Sequence, residues 1–419
     1  MDLPYLVFSD KKGNICHHPF LRMVSQSLDK YIIPEKKELI NLPKGSPLFY
    51  LPQRLPIGLN PYTGEVEVLE EFQGKEVLAV GAFPVPAFLR LYTPAYKIKE
   101  KIILPLWPYT SCGFYKGKFC ITGIRVDKRI RQSPRFYNND KVKNKVKDIV
   151  EKYPHNRLYK HIANCAVNYN CLAAKNLFLN RWEAPLPTAR YCNARCIGCI
   201  SYKDSDCVSS HQRINFVPQV NEIVEVMVNH LKTAREAIVS FGQGCEGEPL
   251  LESEVISKSI KQVRGITNRG TINMNTNGSL PLRMENLCKS GIDSFRISLN
   301  STEEKFYNIY FNPAGYKFKD VVKSIEIAKR YKKFVSINLF VFPGFTDSER
   351  QINSLIKFID EYKIDMIQWR NLNIDPDFYL KKIAYKKSDS KGLLFLINRM
   401  KQEFPAVKMG YFNITKESF

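Results

Sequence analysis

The chain lacks any run of about 18 apolar residues, so no segment reads as a membrane-crossing helix. The N-terminus, Met-Asp-Leu-Pro-Tyr, lacks the basic-then-apolar pattern of a signal peptide. A cytoplasmic protein is the expectation, with its 11 cysteines reduced or bound to metal. Acid is scarce: 41 Asp and Glu face 63 Lys and Arg, a net charge of +22. Such basicity suits nucleic acid or another polyanion. The basic residues are nevertheless scattered, the densest group being Lys329, Arg330, Lys332 and Lys333, and solvated helix faces explain them equally well. An Asp-x-His-x-x-Gly cobalamin pattern is missing, and no cysteine follows Cys288. Hydrophobic residues are not lacking. At 44% of 419 residues they exclude wholesale disorder and support two or three domains.

The pattern changes near residue 183. Before it, short alternating runs at Tyr5–Ser9, Glu65–Leu69, Glu76–Phe83 and Phe119–Val126 are split by turn signals such as Tyr115-Lys-Gly117. A charged stretch, Asp140–Glu151, is expected to be helical. Residues 1–182 therefore read as an irregular β-rich accessory domain. From Trp182 onward, strands and helices alternate. Strands are expected at Pro185–Tyr191, Ala237–Phe241, Thr271–Asn275, Asp293–Leu299, Val335–Val341 and Met366–Arg370. The expected class is α/β, with residues 183–400 forming a partial (β/α)6 TIM-like barrel and 401–419 an extension. In such folds chemistry sits at the C-terminal ends of the strands.

Three cysteines follow the first of these strands. Cys192, Cys196 and Cys199 form a CxxxCxxC run whose thiolates can all reach one metal centre. On a 4Fe-4S cube three cysteines leave one iron open to an outside ligand. The other reading is structural zinc, with Cys207 or His211 as the fourth ligand. After the second strand comes Gly244-Cys-Glu-Gly-Glu-Pro249. Gly247 is expected to let the backbone approach a ligand there, and Pro249 stiffens the turn.

The order of these motifs resembles the radical S-adenosylmethionine (radical SAM) superfamily over roughly residues 183–400. The resemblance implies a 4Fe-4S cluster on Cys192, Cys196 and Cys199. It implies S-adenosylmethionine near Gly247, Glu248 and Pro249, with Asn275, Asn277 and Ser298 as polar contacts. Val341-Phe-Pro-Gly-Phe-Thr346 falls where the family packs the adenine, with Phe345 as a candidate surface. The implied reaction is reductive cleavage to a 5′-deoxyadenosyl radical, driven by an external low-potential electron donor. One departure stands out: the family usually has an aromatic residue before the third cysteine, and here it is Gly198. The cysteine-rich C-terminal extension of some peptide-modifying relatives is missing too.

Eight cysteines lie outside the triplet. Cys112 and Cys120 flank Gly113-Phe-Tyr-Lys-Gly-Lys-Phe119, where a hairpin is expected, and Cys165 and Cys171 lie just before the barrel. These four make the candidate set for a second Fe-S cluster or a zinc site, against the plainer reading of buried small hydrophobes. Arg370, at the end of strand six, is the candidate substrate contact, since a guanidinium in a barrel lumen suits a carboxylate or phosphate. The substrate stays open among peptide, nucleic acid and metabolite, an anionic one fitting the charge. The alternative function is a non-catalytic, zinc- or Fe-S-stabilised, basic nucleic-acid-binding module.

Overall fold

The computed structural model describes residues 3–201, 208–385 and 390–419. The chain forms two compact units. One comprises Met1–Lys128, Phe340–Ile356 and Trp369–Pro405, the other Arg129–Leu339, Lys357–Gln368 and Ala406–Phe419.

The first unit is built on a 12-stranded antiparallel sheet. Its longer strands are Tyr5–Asp10, Ile15–Met23, Lys75–Ala82 and Lys118–Arg125. The expected hairpin is present: Thr110–Tyr115 pairs with Lys118–Arg125, Gly113 opposite Cys120. Lys116 and Gly117 at its tip both have positive φ, 48° and 76°, the twist that matches a two-residue hairpin turn to its strands. Val7, Val80, Ala82, Cys112 and Ile121 form an apolar cluster beneath it. A fully buried ion pair, Arg54 to Asp375 at 3.1 Å, ties the sheet to later chain of the same unit. Leu104 N–H donates to that carboxylate at 2.8 Å, as a buried charge requires.

The second unit opens with three helices, α1 (Asn139–Lys152), α2 (Arg157–Val167) and α3 (Leu172–Phe178). Asn138 and Asn156 cap the first two with their side chains. The expected helix at Asp140–Glu151 is α1. Helices α2 and α3 were not anticipated, because their apolar residues sit among isolated Asn and Cys.

The barrel strands are β1 (Arg181–Pro185), β2 (Arg235–Phe241), β3 (Thr271–Thr276), β4 (Ser294–Leu299), β5 (Phe334–Val341), β6 (Met366–Asn371) and β7 (Lys408–Gly410). They lie side by side in sequence order, and the pairings β1–β2, β2–β3, β3–β4, β4–β5 and β6–β7 are parallel. Helices α4 (Val220–Thr233), α5 (Ser253–Ile266), α6 (Pro281–Ser290), α7 (Glu304–Phe311), α8 (Phe318–Arg330) and α9 (Glu349–Tyr362) fill the crossovers. This is the expected α/β partial barrel with a β-rich N-terminal region, extended by a seventh strand. Strand β7 was missed because it is only three residues long.

The first strand is displaced from expectation. It ends at Pro185 rather than starting there. Pro185 and Pro187 carry no N–H for a ladder, so the chain beyond β1 becomes an extended loop held by Leu186 N–H to Ser240 O, 2.9 Å. At the opposite end, acids brace the strands. Asp293, before β4, accepts from Ile272 N–H at 2.7 Å and pairs with Arg264. Asp365, before β6, accepts from Val335 N–H at 2.8 Å and from Lys329 at 2.6 Å.

Candidate active site

The cysteine loop rests on the end of α7. Arg195 N–H donates to Phe311 O at 2.9 Å, Ile197 N–H to Tyr310 O at 3.0 Å, and Ala314 N–H to Asn193 O at 2.8 Å. Cys192, Cys196 and Cys199 are each half-buried along it. Two donors face their sulfurs: Ala194 N–H lies 3.4 Å from Cys192 Sγ, and Arg213 Nη2 lies 3.6 Å from Cys199 Sγ. Burial pushes the Cys192 thiol up to about 12 and the Cys196 thiol up as well. This donor set fits a positively charged metal centre, whose charge removes the cost of burying thiolates.

Two contacts bring the loop to the ends of β2 and β3. Gly247 N–H donates to Ala189 O at 2.7 Å, and Glu248 N–H to Tyr191 O at 2.9 Å. A Cβ on Gly247 would lie 1.9 Å from Tyr191 O, so only glycine fits. The close approach expected at Gly247 is thus to the chain's own backbone, one residue before Cys192. From the other side, Asn277 Nδ2 donates to Asn193 Oδ1 at 2.9 Å.

Glu248 is almost fully buried at 3% exposure. Its carboxylate accepts from Asn277 N–H at 2.8 Å, Leu250 N–H at 3.0 Å and the Thr276 hydroxyl. A carboxylate offers about four lone-pair sites, so these donors leave room for roughly one more. Glu246, two residues earlier, has no such room. It takes Thr188 N–H at 2.8 Å, Ala189 N–H at 3.0 Å, Gln243 N–H at 3.1 Å and Gly242 N–H. It therefore fastens the loop after β1 to the turn after β2. Burial pushes both carboxyls up to about 7 against these hydrogen bonds. Pro249, buried, opens the short 3-10 turn that Glu248 caps.

One face of the barrel sheet is polar. Asn273 Nδ2 donates to Ser240 Oγ at 3.2 Å and to Asn275 Oδ1 at 2.9 Å. Arg296 Nη1 donates to Gln368 Oε1 at 3.1 Å, and Gln368 Nε2 to Asn413 Oδ1 at 2.7 Å. Asn413 Nδ2 reaches Glu183 at 2.8 Å. Parallel strands are normally apolar on both faces. In a barrel the helices take the outer face, so this polar row lines the lumen. Asn275 Nδ2 and Asn338 Oδ1 are buried there with no partner among the described residues. Buried polar atoms of this kind mark where a polar ligand adds hydrogen bonds. Asn275 was expected at the site. Ser298 is half-buried and accepts weakly from Asn338 Nδ2 at 3.4 Å.

The later candidates lie in the other unit. Phe345 is fully buried, its ring set edge-on to Tyr379 and Tyr385 at 6.0 and 5.1 Å. Arg370 is half-buried. Its neighbour Asn371 is structural, accepting from Arg90 N–H and donating to Phe88 O, each at 2.9 Å.

Cys112 and Cys120 are buried in the sheet, their thiols donating to the carbonyls of Val80 and Gly113 at 3.7 and 3.4 Å. The group that the structure brings together differs from the expected set: Cys165 joins His161 and Cys245. Cys207 lies outside the described residues. His211 stacks on Tyr169 at 6.1 Å. Asn193, Arg213, Glu246 and Thr276 were missed as site residues. Asn193 and Glu246 lie inside the motifs already noted. Arg213 and Thr276 gave no spacing signal.

Residues 186–356 match a family model described as "Radical SAM superfamily". The chain is 25% identical over 228 residues to an uncharacterized protein, MJ0804, of Methanocaldococcus jannaschii, covering 51% of this chain and 77% of the other. Among solved structures it is similar to Streptococcus suis SuiB bound to S-adenosylmethionine. That match has 16% identity and a TM-score of 0.40, covering 59% of this chain and 52% of that one. It is also similar to methylornithine synthase, with 15% identity and a TM-score of 0.39, covering 64% and 77%. The chain spans about half the length of SuiB.

Proposed function

We propose, from the match of residues 186–356 to a radical SAM family model, that this chain is a radical SAM enzyme acting on a polar substrate held in the barrel lumen. Cys192, Cys196 and Cys199 would hold a 4Fe-4S cluster, and Glu248 with Asn275 would hold S-adenosylmethionine beside it. When bound, that pair of cofactors supplies reductive carbon–sulfur cleavage, yielding a 5′-deoxyadenosyl radical; an external low-potential donor provides the electron. The domain match does not favour the nucleic-acid-binding module.

The observation that carries this reading is the junction at Gly247. It sets a loop of three thiols against a buried carboxylate that has one acceptor position left. The chain's own residues do four things there. Arg213 and the Ala194 N–H set hydrogen-bond donors against the sulfurs of Cys199 and Cys192. Glu248 accepts a hydrogen bond from an ammonium group such as that of a methionine moiety. Asn193 and Asn277 keep the cysteine loop in register with β3. The lumen network around Arg296 and Gln368 orients a polar or anionic substrate. A cytoplasmic setting, where thiols stay reduced, belongs to the same reading.

Anaerobic reconstitution tests it. Iron and sulfide at about four each per chain, with 5′-deoxyadenosine formed on reduction, are expected. Cys196→Ala should abolish both. A fully reconstituted protein that neither binds nor cleaves S-adenosylmethionine overturns the reading.

A further inference from the structure

Outside the cysteine loop, His161, Cys165 and Cys245 place one ligand atom each within 4.8 Å of one another. Among the described residues this is the group of three that meets single-ion spacing. His161 and Cys165 stand four residues apart on α2, so they share one helix face. Cys245 comes from the loop after β2. Both cysteines are buried, at 2% and 4% exposure, and no disulfide joins them. His161 Nε2 lies 3.8 Å from Cys165 Sγ. A tetrahedral zinc with Zn–S of about 2.3 Å and Zn–N of about 2.1 Å holds such atoms roughly 3.6 Å apart.

A fourth donor is at hand. Cys171 caps the start of α3, and its N–H donates to Cys165 O at 3.0 Å. That bond holds the start of α3 against the last turn of α2.

We infer that His161, Cys165 and Cys245, closed by Cys171 from the start of α3 as the fourth ligand, form a structural zinc site, distinct from the cluster on Cys192, Cys196 and Cys199. A closed set of four protein ligands leaves no open position, which marks a structural rather than a catalytic ion. The ion joins helix α2 to the loop that carries Glu246, Gly247 and Glu248. It therefore braces the junction on which the cysteine loop depends, and it does so from chain preceding the barrel. The site replaces the grouping of Cys165 and Cys171 with Cys112 and Cys120.

Metal analysis of the full chain, expressed with zinc and purified before reconstitution, is the test. About one zinc per chain is expected. Cys245→Ser and His161→Ala should each lower that by at least about fivefold. A Cys192→Ala, Cys196→Ala, Cys199→Ala triple variant should keep its zinc while losing iron. Cobalt exchanged into the wild-type chain should show tetrahedral, thiolate-ligated absorption, and His161→Ala should alter that spectrum. This readout needs only wild-type protein and one histidine variant whose folding circular dichroism can check. Three results overturn the inference. One is less than about a tenth of an equivalent of zinc in the wild type. Another is zinc that persists unchanged in the Cys245→Ser and His161→Ala variants. The third is extra iron and sulfide, in place of zinc, that depend on Cys165 and Cys245, which would make the site an iron–sulfur cluster.

Discussion

The two ends of the barrel use buried acids in opposite ways. At the N-terminal end, Asp293 and Asp365 each accept one backbone N–H and pair with a cation, Arg264 and Lys329. At the C-terminal end, Glu246 and Glu248 are bound by neutral donors only, backbone N–H groups and one hydroxyl. A paired acid is neutralised where it stands, and such a site serves stability. An unpaired buried acid keeps an unmet preference for positive charge. The C-terminal end therefore has both the electrostatic reason and, at Glu248, the spare lone pair to take a cationic ligand.

The sharpest way to break this contrast is Gly247→Ala. Its Cβ would fall 1.9 Å from Tyr191 O, so the cysteine loop and Glu248 must separate. Loss of S-adenosylmethionine binding by at least about 100-fold is expected, read by calorimetry on reconstituted protein. Cα hydrogens fit there, and any side chain does not.

The acids themselves should show the contrast in pH dependence. Glu246 and Glu248 sit at about 7 when folded, against 4.5 for an unperturbed glutamate. Between those values the folded chain holds protons that the unfolded chain has released. Stability of the cluster-free protein should therefore fall as pH rises from about 4.5 to about 7, then level off. The upper bound is about 3 kcal/mol per group. Denaturant titrations across that range should show the fall, and Glu248→Gln should reduce it by about half.

A smaller effect is expected at the other end. Asp293→Ala leaves Arg264 half-buried and unpaired and frees Ile272 N–H. A loss of about 2–3 kcal/mol should follow, with cosubstrate affinity unchanged within about twofold. A large affinity change would mean that the two ends are not separable. Smallest of all is Lys329→Met. Its pair with Asp365 is more exposed, at 27% and 30%, so about 1 kcal/mol or less should be lost.

Much of the barrel was legible in the sequence. Strands β2 to β6 lie within two residues of their expected limits, because apolar period and turn residues agree over each one. The limits failed where the local signal is ambiguous. Pro185 and Pro187 lie in an apolar run that resembles a strand, yet cannot sustain a ladder. Helix α2 packs on α4 and α3 on β1, so their burial comes from the barrel as well as from their own pattern. The cysteine triplet and the Gly-Glu-Pro turn were visible because ligand spacing is local.

The sequence by itself determined the class of fold, the three-cysteine loop and the position of Glu248 after the second strand. Those features rest on short-range spacing and on strand–helix alternation. Only the tertiary structure decided that Glu246 is saturated while Glu248 is not, since their donors come from segments up to 58 residues away. It also decided that Cys165 belongs with His161 and Cys245, a grouping that joins α2 to a loop 80 residues later. Long-range partners of this kind are chosen by packing, and no residue spacing along the chain records them.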